Sequence, residues 1–151
     1  MPFSKYITGK QMTEIFFRYL HFIGIMSLSA TLVAQHLIIS SQVSREQFKK
    51  IAFLDLIYII SIILTLIGGL SLWLFVGKDA SFYSTNWVFH LKLAMFVLVI
   101  LLSIYPTRFF LKNKKTSDET IKIPKVIVML FRMQLALVFI MPLLGVLIAR
   151  G

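Results

Sequence analysis

Ile51-Ala-Phe-Leu-Asp-Leu-Ile-Tyr-Ile-Ile-Ser-Ile-Ile-Leu-Thr-Leu-Ile-Gly-Gly-Leu-Ser-Leu-Trp-Leu-Phe-Val76 decides the fold class. The stretch carries one charged residue, Asp55, and no proline. A helix needs about 20 apolar residues to cross the ~30 Å of hydrocarbon in a bilayer, and this run exceeds that. Residues 15–40 precede it with a similar run, and residues 87–111 and 126–149 follow with two more. The chain therefore reads as an all-α integral membrane bundle of four transmembrane helices, with residues 1–151 forming a single transmembrane domain. Membrane-spanning strands are not expected, because a barrel needs at least about eight alternating segments of about ten residues each.

Composition agrees. Hydrophobic residues make up 58% of the 151, charged residues 15%, and the mean hydropathy is +0.87. A soluble domain is about 45–50% apolar and about a quarter charged. A chain this short has no core large enough to hide the surplus, whereas lipid accepts it. The linkers at 41–50, 77–86 and 112–125 are short and polar, so all four helices pack as one bundle. The apolar part of the first run is too long for a cleaved signal peptide and carries polar residues spaced for packing.

The charge balance is 16 Lys and Arg against 6 Asp and Glu, formally +10. In a soluble chain this would suggest nucleic acid. Here the cations lie mainly between apolar runs, where anionic headgroups attract them, and no soluble module is left to bind nucleic acid. The first and third linkers with their flanks hold Arg45, Lys49, Lys50, Arg108, Lys112, Lys114, Lys115, Lys122 and Lys125. The opposite side holds Lys5, Lys10, Arg18, Lys78 and Arg150. That bias places both termini on the non-cytoplasmic side, although the basic N-terminal tail pulls the other way. There is no cysteine, which excludes disulfides, thiolate metal sites, iron–sulfur clusters and covalent c-type haem.

Polar residues inside a bilayer are costly and ask for a role. His21, Gly24, Leu28, Thr31 and Gln35 follow a three-four spacing and share one helix face, with Ser27 and Ser29 nearby. Small residues and hydroxyls on such a face serve helix packing, and Gly68-Gly69 reads the same way. The three histidines all lie in helices or at their ends. His21 and His36 are about 22 Å apart along the first helix, too far to share a cofactor plane. His21 and His90 lie at similar depth on different helices, an arrangement that can hold haem b between axial nitrogens. Arg18 and Lys92 at the rim suit the propionates, and Met95 is an alternative axial ligand. Two plainer readings stay open. His90 can belong to an interfacial aromatic belt with Trp87 and Tyr83. Lys92 points about 200° away from His90 around the helix, so the two cannot face one point. Inward, it is a buried cation with a job; outward, it snorkels to headgroups.

A second polar layer contains Gln35, His36, Asp55, Tyr58, Arg108 and Arg132. Asp55 and Tyr58 share a face of the second helix, and Arg132, His36 and Lys49 are candidate partners for Asp55. The layer reads as an ion pair tying helices together or, more sharply, as a proton route or anion site. Pro106 and Pro142 are expected to kink their helices.

Two stretches carry a resemblance: Arg-Tyr-Leu-His-Phe-Ile-Gly-Ile at residues 18–25 and Trp-Val-Phe-His-Leu-Lys-Leu at 87–93. With Ala-Gln-His-Leu at 34–37, the Asp55 to Tyr58 segment, Tyr-Pro-Thr at 105–107 and the Ala-Arg-Gly terminus, the chain resembles a bacterial family of predicted four-helix membrane proteins of unknown function. More distantly it resembles HemJ-type protoporphyrinogen oxidases and CopD-like copper-resistance proteins. The HemJ likeness rests on the first-helix Leu-His pair and a later His-x-Lys-Leu, about a fifth of the chain. It implies haem b, with His21 matching the first-helix histidine and Lys92 the functional lysine. The Leu-Pro-Arg-Leu and Tyr-His segment of that family is missing at the end of the first helix.

These readings lead to a haem b membrane protein of the bacterial inner membrane with a redox or electron-transfer role, similar to a protoporphyrinogen oxidase. In it Lys92 is catalytic, while His21 and His90 bind the haem iron and Arg18 assists. Two alternatives are a CopD-like transport or metal-handling protein and a non-catalytic accessory subunit. The metal-handling reading wants soft ligands, but Cys is lacking and Met is scattered. Expected partners are the lipid bilayer, haem or porphyrin, and a homo-oligomer or larger membrane complex, with no nucleic acid. No nucleophile triad, phosphate loop or zinc-binding spacing is present.

Overall fold

Thr8 starts the first helix. Its hydroxyl accepts from the Gln11 backbone N–H, and the Gln11 side chain accepts from the Thr8 N–H. This reciprocal cap satisfies two donors that a helix start otherwise leaves open. Helix α1 consequently runs Gly9–Ile38, starting well before residue 15. The computed structural model describes residues 8–151; Lys5, counted above among the basic residues, lies outside the described residues. A second cap of the same kind, Ser44 with Gln47, opens α2 at Arg45–Ser71. Its end widens into a π turn, Leu72–Val76, closed by Gly77, where any Cβ would strike the Leu72 carbonyl. A short helix, α3 (Ala80–Ser84), leads to α4 (Trp87–Asn113), whose first turn is capped by the Asn86 side chain. The last helix, α5, covers Lys125–Arg150. Four segments, Gly9–Ile38, Arg45–Val76, Trp87–Asn113 and Lys125–Arg150, are long and apolar enough to cross a membrane. The all-α four-helix membrane bundle read from the sequence is the observed architecture.

The linkers hold something the sequence reading did not anticipate. Strands β1 (Gln42–Ser44) and β2 (Thr120–Lys122) pair antiparallel, with Val43 opposite Ile121. Alternation buries these two and exposes their neighbours, and Ile123 is buried just beyond. The Arg45 N–H donates to the Glu119 carbonyl at 3.0 Å and the Ile123 N–H to the Ser41 carbonyl at 2.9 Å. The ribbon ties the α1–α2 linker to the α4–α5 linker, fixing both at one end of the bundle. The described start of α1, the end of α5 and α3 lie at the other. We call these the ribbon end and the termini end.

The core is densest at the ribbon end. Phe48, Ile51, Phe110, Ile127 and Phe131 pack beneath Val43, Ile121 and Ile123. Phe48 meets Phe110 edge-on with ring centroids 5.7 Å apart, and Phe131 continues the stack. In α4 the buried residues are Val99, Ser103, Pro106 and Phe110, so residues 87–98 bury none. Outside, Phe16, Tyr19, Phe22, Met26, Phe53, Leu101 and Phe139 stand exposed on the protein surface. An apolar exterior of this extent is covered by lipid.

Two polar layers in the bundle

The first layer sits on the seam between α1 and α2, toward the termini end. Helices approach closely where side chains are small. A Cβ on Gly24 would lie 2.7 Å from the Thr65 backbone nitrogen, and one on Gly68 would lie 2.8 Å from the Cα of His21. The backbones are therefore in contact at both points. Gly69 lies under the His21 ring, where a Cβ would stand 3.1 Å from Cε1. The ring is half-buried, and its Nδ1 is 2.9 Å from the Thr65 carbonyl. A carbonyl only accepts, so Nδ1 carries the proton and, in the neutral ring, Nε2 keeps its lone pair.

Lys92 joins this layer from α4. It is half-buried, and its Nζ lies 3.5 Å from where a Cβ on Gly145 of α5 would be. The side chain thus crosses toward α5 instead of running along α4 to the headgroups. Its charge, and after it that of Arg18, is within electrostatic reach of His21. The ion pairs among the described residues are Arg18 with Glu14, at 2.6 Å, and Lys50 with Glu46. Lys92 is in neither, whereas the guanidinium of Arg18 is already held by Glu14 on its own helix.

His90 is placed elsewhere. It is exposed, and its Nε2 is 2.7 Å from the Ser84 carbonyl at the end of α3. Its ring edges Phe89, which also packs on Trp73 and Tyr83, and Trp73 Nε1 donates to the Ser84 hydroxyl. His90 thus belongs to an aromatic cluster tying the π turn, α3 and α4 together. The structure does not bring His21 and His90 together as an axial pair. The divergence of positions 90 and 92 around α4 explains this: with Lys92 directed inward, His90 faces out.

The second layer lies nearer the ribbon end and is fully buried. Tyr58 on α2 donates its hydroxyl to Gln134 Oε1 on α5 at 2.6 Å. Gln134 Nε2 donates to the Leu102 carbonyl of α4 at 3.4 Å. Pro106 explains that last contact. Proline has no N–H for the carbonyl four residues earlier, and Gln134 supplies the missing donor from the neighbouring helix. Gln35 on α1 donates to the Ile51 carbonyl at 3.3 Å and to Asp55 Oδ1 at 3.4 Å. Four helices are joined by amides and hydroxyls.

The ion pair expected at Asp55 is absent among the described residues. Arg132 is exposed because the buried face of α5 follows Ile127, Phe131, Gln134 and Val138. Lys49 is off the buried face of α2, which follows Phe48, Ile51, Asp55 and Tyr58. His36 is half-buried, with its Nδ1 buried and without a hydrogen bond, and Arg108 is exposed. Gln134 went unnoticed in the sequence; its signal was an amide in the middle of an apolar run.

No group of three His, Cys, Asp or Glu side chains converges as a metal ligand set among the described residues. No curated protein and no solved structure matches the chain. A family model described as predicted membrane protein, DUF2214, matches residues 13–151, a span that holds both polar layers and the ribbon. The chain belongs to this family of predicted membrane proteins.

Proposed function

We propose that this protein binds haem b in the termini half of the bundle and serves a redox role in the bacterial cytoplasmic membrane. One observation carries the reading: the His21 ring is anchored by Nδ1 to the Thr65 carbonyl, which leaves the Nε2 lone pair free to ligate a metal. Ligating histidines are held in this way, with the second nitrogen fixing tautomer and ring orientation.

The donor set fits a haem with one protein nitrogen. His21 supplies the imidazole and Lys92 an ammonium with no carboxylate paired to it among the described residues, while Arg18, held by Glu14, adds a second positive charge at the rim. Gly69 and Gly145 keep the space beside the ring and the amine free of side chains. A bis-imidazole site does not fit, since His90 is exposed and its ring lies against Ser84 and Phe89 instead of entering the His21 layer. The likeness to HemJ-type oxidases singles out His21 and Lys92, two polar residues of this layer. When bound, haem supplies one-electron redox chemistry. The chain's own part is to orient the imidazole through Thr65, to neutralise a carboxylate with Lys92, and to keep the site dry with the surrounding apolar helices. Lys92 would also hold the carboxylate of a tetrapyrrole substrate, which makes it the catalytic candidate of an oxidase-type reaction. The basic residues at and beside the ribbon end support a cytoplasmic placement of that end, with the termini outside.

The test is the absorption spectrum of the full chain purified from haem-sufficient cells. A Soret band at about one haem per chain is expected. Absence of the band, with no uptake of added haem, would overturn the reading.

A further inference from the structure

The layer around Asp55 leaves buried polar atoms without hydrogen-bond partners. Gln35 Nε2 reaches the Ile51 carbonyl at 3.3 Å and Asp55 Oδ1 at 3.4 Å, both long for an N–H···O bond. Its Oε1 is buried and unpartnered, although Gln35 is completely enclosed. Thr107, reaching in from α4 beside the Asp55 carboxyl, has a buried hydroxyl outside good hydrogen-bond geometry. Asp55 itself is 5% exposed. The groups around it are Gln35 on α1, Tyr58 on α2 and Thr107 on α4, with Gln134 of α5 beyond Tyr58. None is a cation. Buried polar atoms nearly always find partners, most of all away from water in a membrane. If bridging helices were the only task, an amide at position 55 would serve without a charge.

We propose that Asp55, Gln35 and Thr107 form an intramembrane binding site for a small alkali cation such as Na⁺. The donors are the Asp55 carboxylate, Gln35 Oε1, the Thr107 hydroxyl and the Ile51 carbonyl. All are hard oxygens, which suit an alkali or alkaline-earth ion and not a soft metal. Charge selects between these two. One carboxylate balances a monovalent ion, while a divalent ion would leave a net positive charge in a dry interior and calls for further carboxylates. Turning over the Gln35 amide presents Oε1 in place of Nε2. That turn sacrifices only two long bonds and gives the orphaned oxygen a partner. The site lies in the half of the bundle away from His21 and does not depend on the haem reading.

Thermal unfolding of the full chain in detergent tests it, in NaCl, LiCl, KCl or choline chloride at equal ionic strength. A ligand that binds only the folded state raises its melting temperature. An alkali cation should raise Tm by on the order of 5 °C at about 100-fold over its Kd, saturating, with no such rise in choline. Asp55→Asn and Thr107→Val should flatten the response. Equal melting in all four salts would overturn the site, as would a response to pH alone. A full response retained by Thr107→Val would overturn it too. Should Asp55→Asn fail to fold, the wild-type salt series and Thr107→Val still decide.

Discussion

The two ends of this bundle are built on different terms. At the ribbon end, a two-stranded clamp, a stack of phenylalanines and a network of amides hold the four helices together. At the termini end, α1 and α2 meet backbone to backbone over glycine, whereas α4 buries no residue before Val99. Two pairs of polar residues, Tyr58 with Gln134 and His21 with Lys92, follow the same division, whereas the Asp55 cluster beside the first pair keeps unpartnered oxygens. Near the ribbon, Tyr58 and Gln134 complete each other and repair the break made by Pro106. Near the termini, His21 and Lys92 share a layer with glycines, and neither ends on a carboxylate among the described residues. A polar group that satisfies its neighbour serves structure; one held in place with a donor to spare is available for a ligand.

The termini end is most sensitive at Gly68. Gly68→Leu forces α1 and α2 apart, because its Cβ meets the backbone of His21. A loss of about 3 kcal/mol, the upper part of the range for overpacking, is expected in detergent unfolding. Gly69→Ala meets only the movable ring, so it should cost less than about 1 kcal/mol while weakening haem binding. Next comes Gln134→Leu, which orphans the Tyr58 hydroxyl and the Leu102 carbonyl and should cost about 2 kcal/mol. Pro106→Ala restores the helical donor to Leu102, so in that background Gln134→Leu should cost about 1 kcal/mol less, measurable as a double-mutant cycle. The smallest stability effect belongs to Lys92→Met. Removing a half-buried cation without a carboxylate should leave stability within about 0.5 kcal/mol, yet abolish binding of a carboxylate-bearing ligand.

The spans were legible because lipid demands long apolar runs, and nothing else in the chain imitates them. Their ends were less so. The Thr8–Gln11 and Ser44–Gln47 caps are readable patterns, but they sit in polar sequence that a hydropathy reading passes over. The ribbon escaped notice because three alternating residues are too few to stand out, and its pairing joins linkers far apart in the chain. In the sites, the polar stripe of α1 correctly pointed His21 and Gln35 inward. Charge matching then misled: Asp55 was given basic partners, whereas helix periodicity turns Arg132 and Lys49 away and the Gln35 amide takes their place. His90 was half legible: its place among interfacial aromatics was one of the open readings, but its hydrogen-bond partner was not. Its partner is a main-chain carbonyl, which no side-chain pattern announces.

On the proposed function, the two imidazoles of the termini end differ in kind: His21 would ligate haem, while His90 ties α4 to the end of α3. Comparing the Soret band of purified His21→Ala with that of His90→Ala tests this most directly. His21→Ala should lose the band, and His90→Ala should keep it at unchanged stoichiometry. A band that survives His21→Ala, or disappears with His90→Ala in a protein that remains folded, would contradict that assignment.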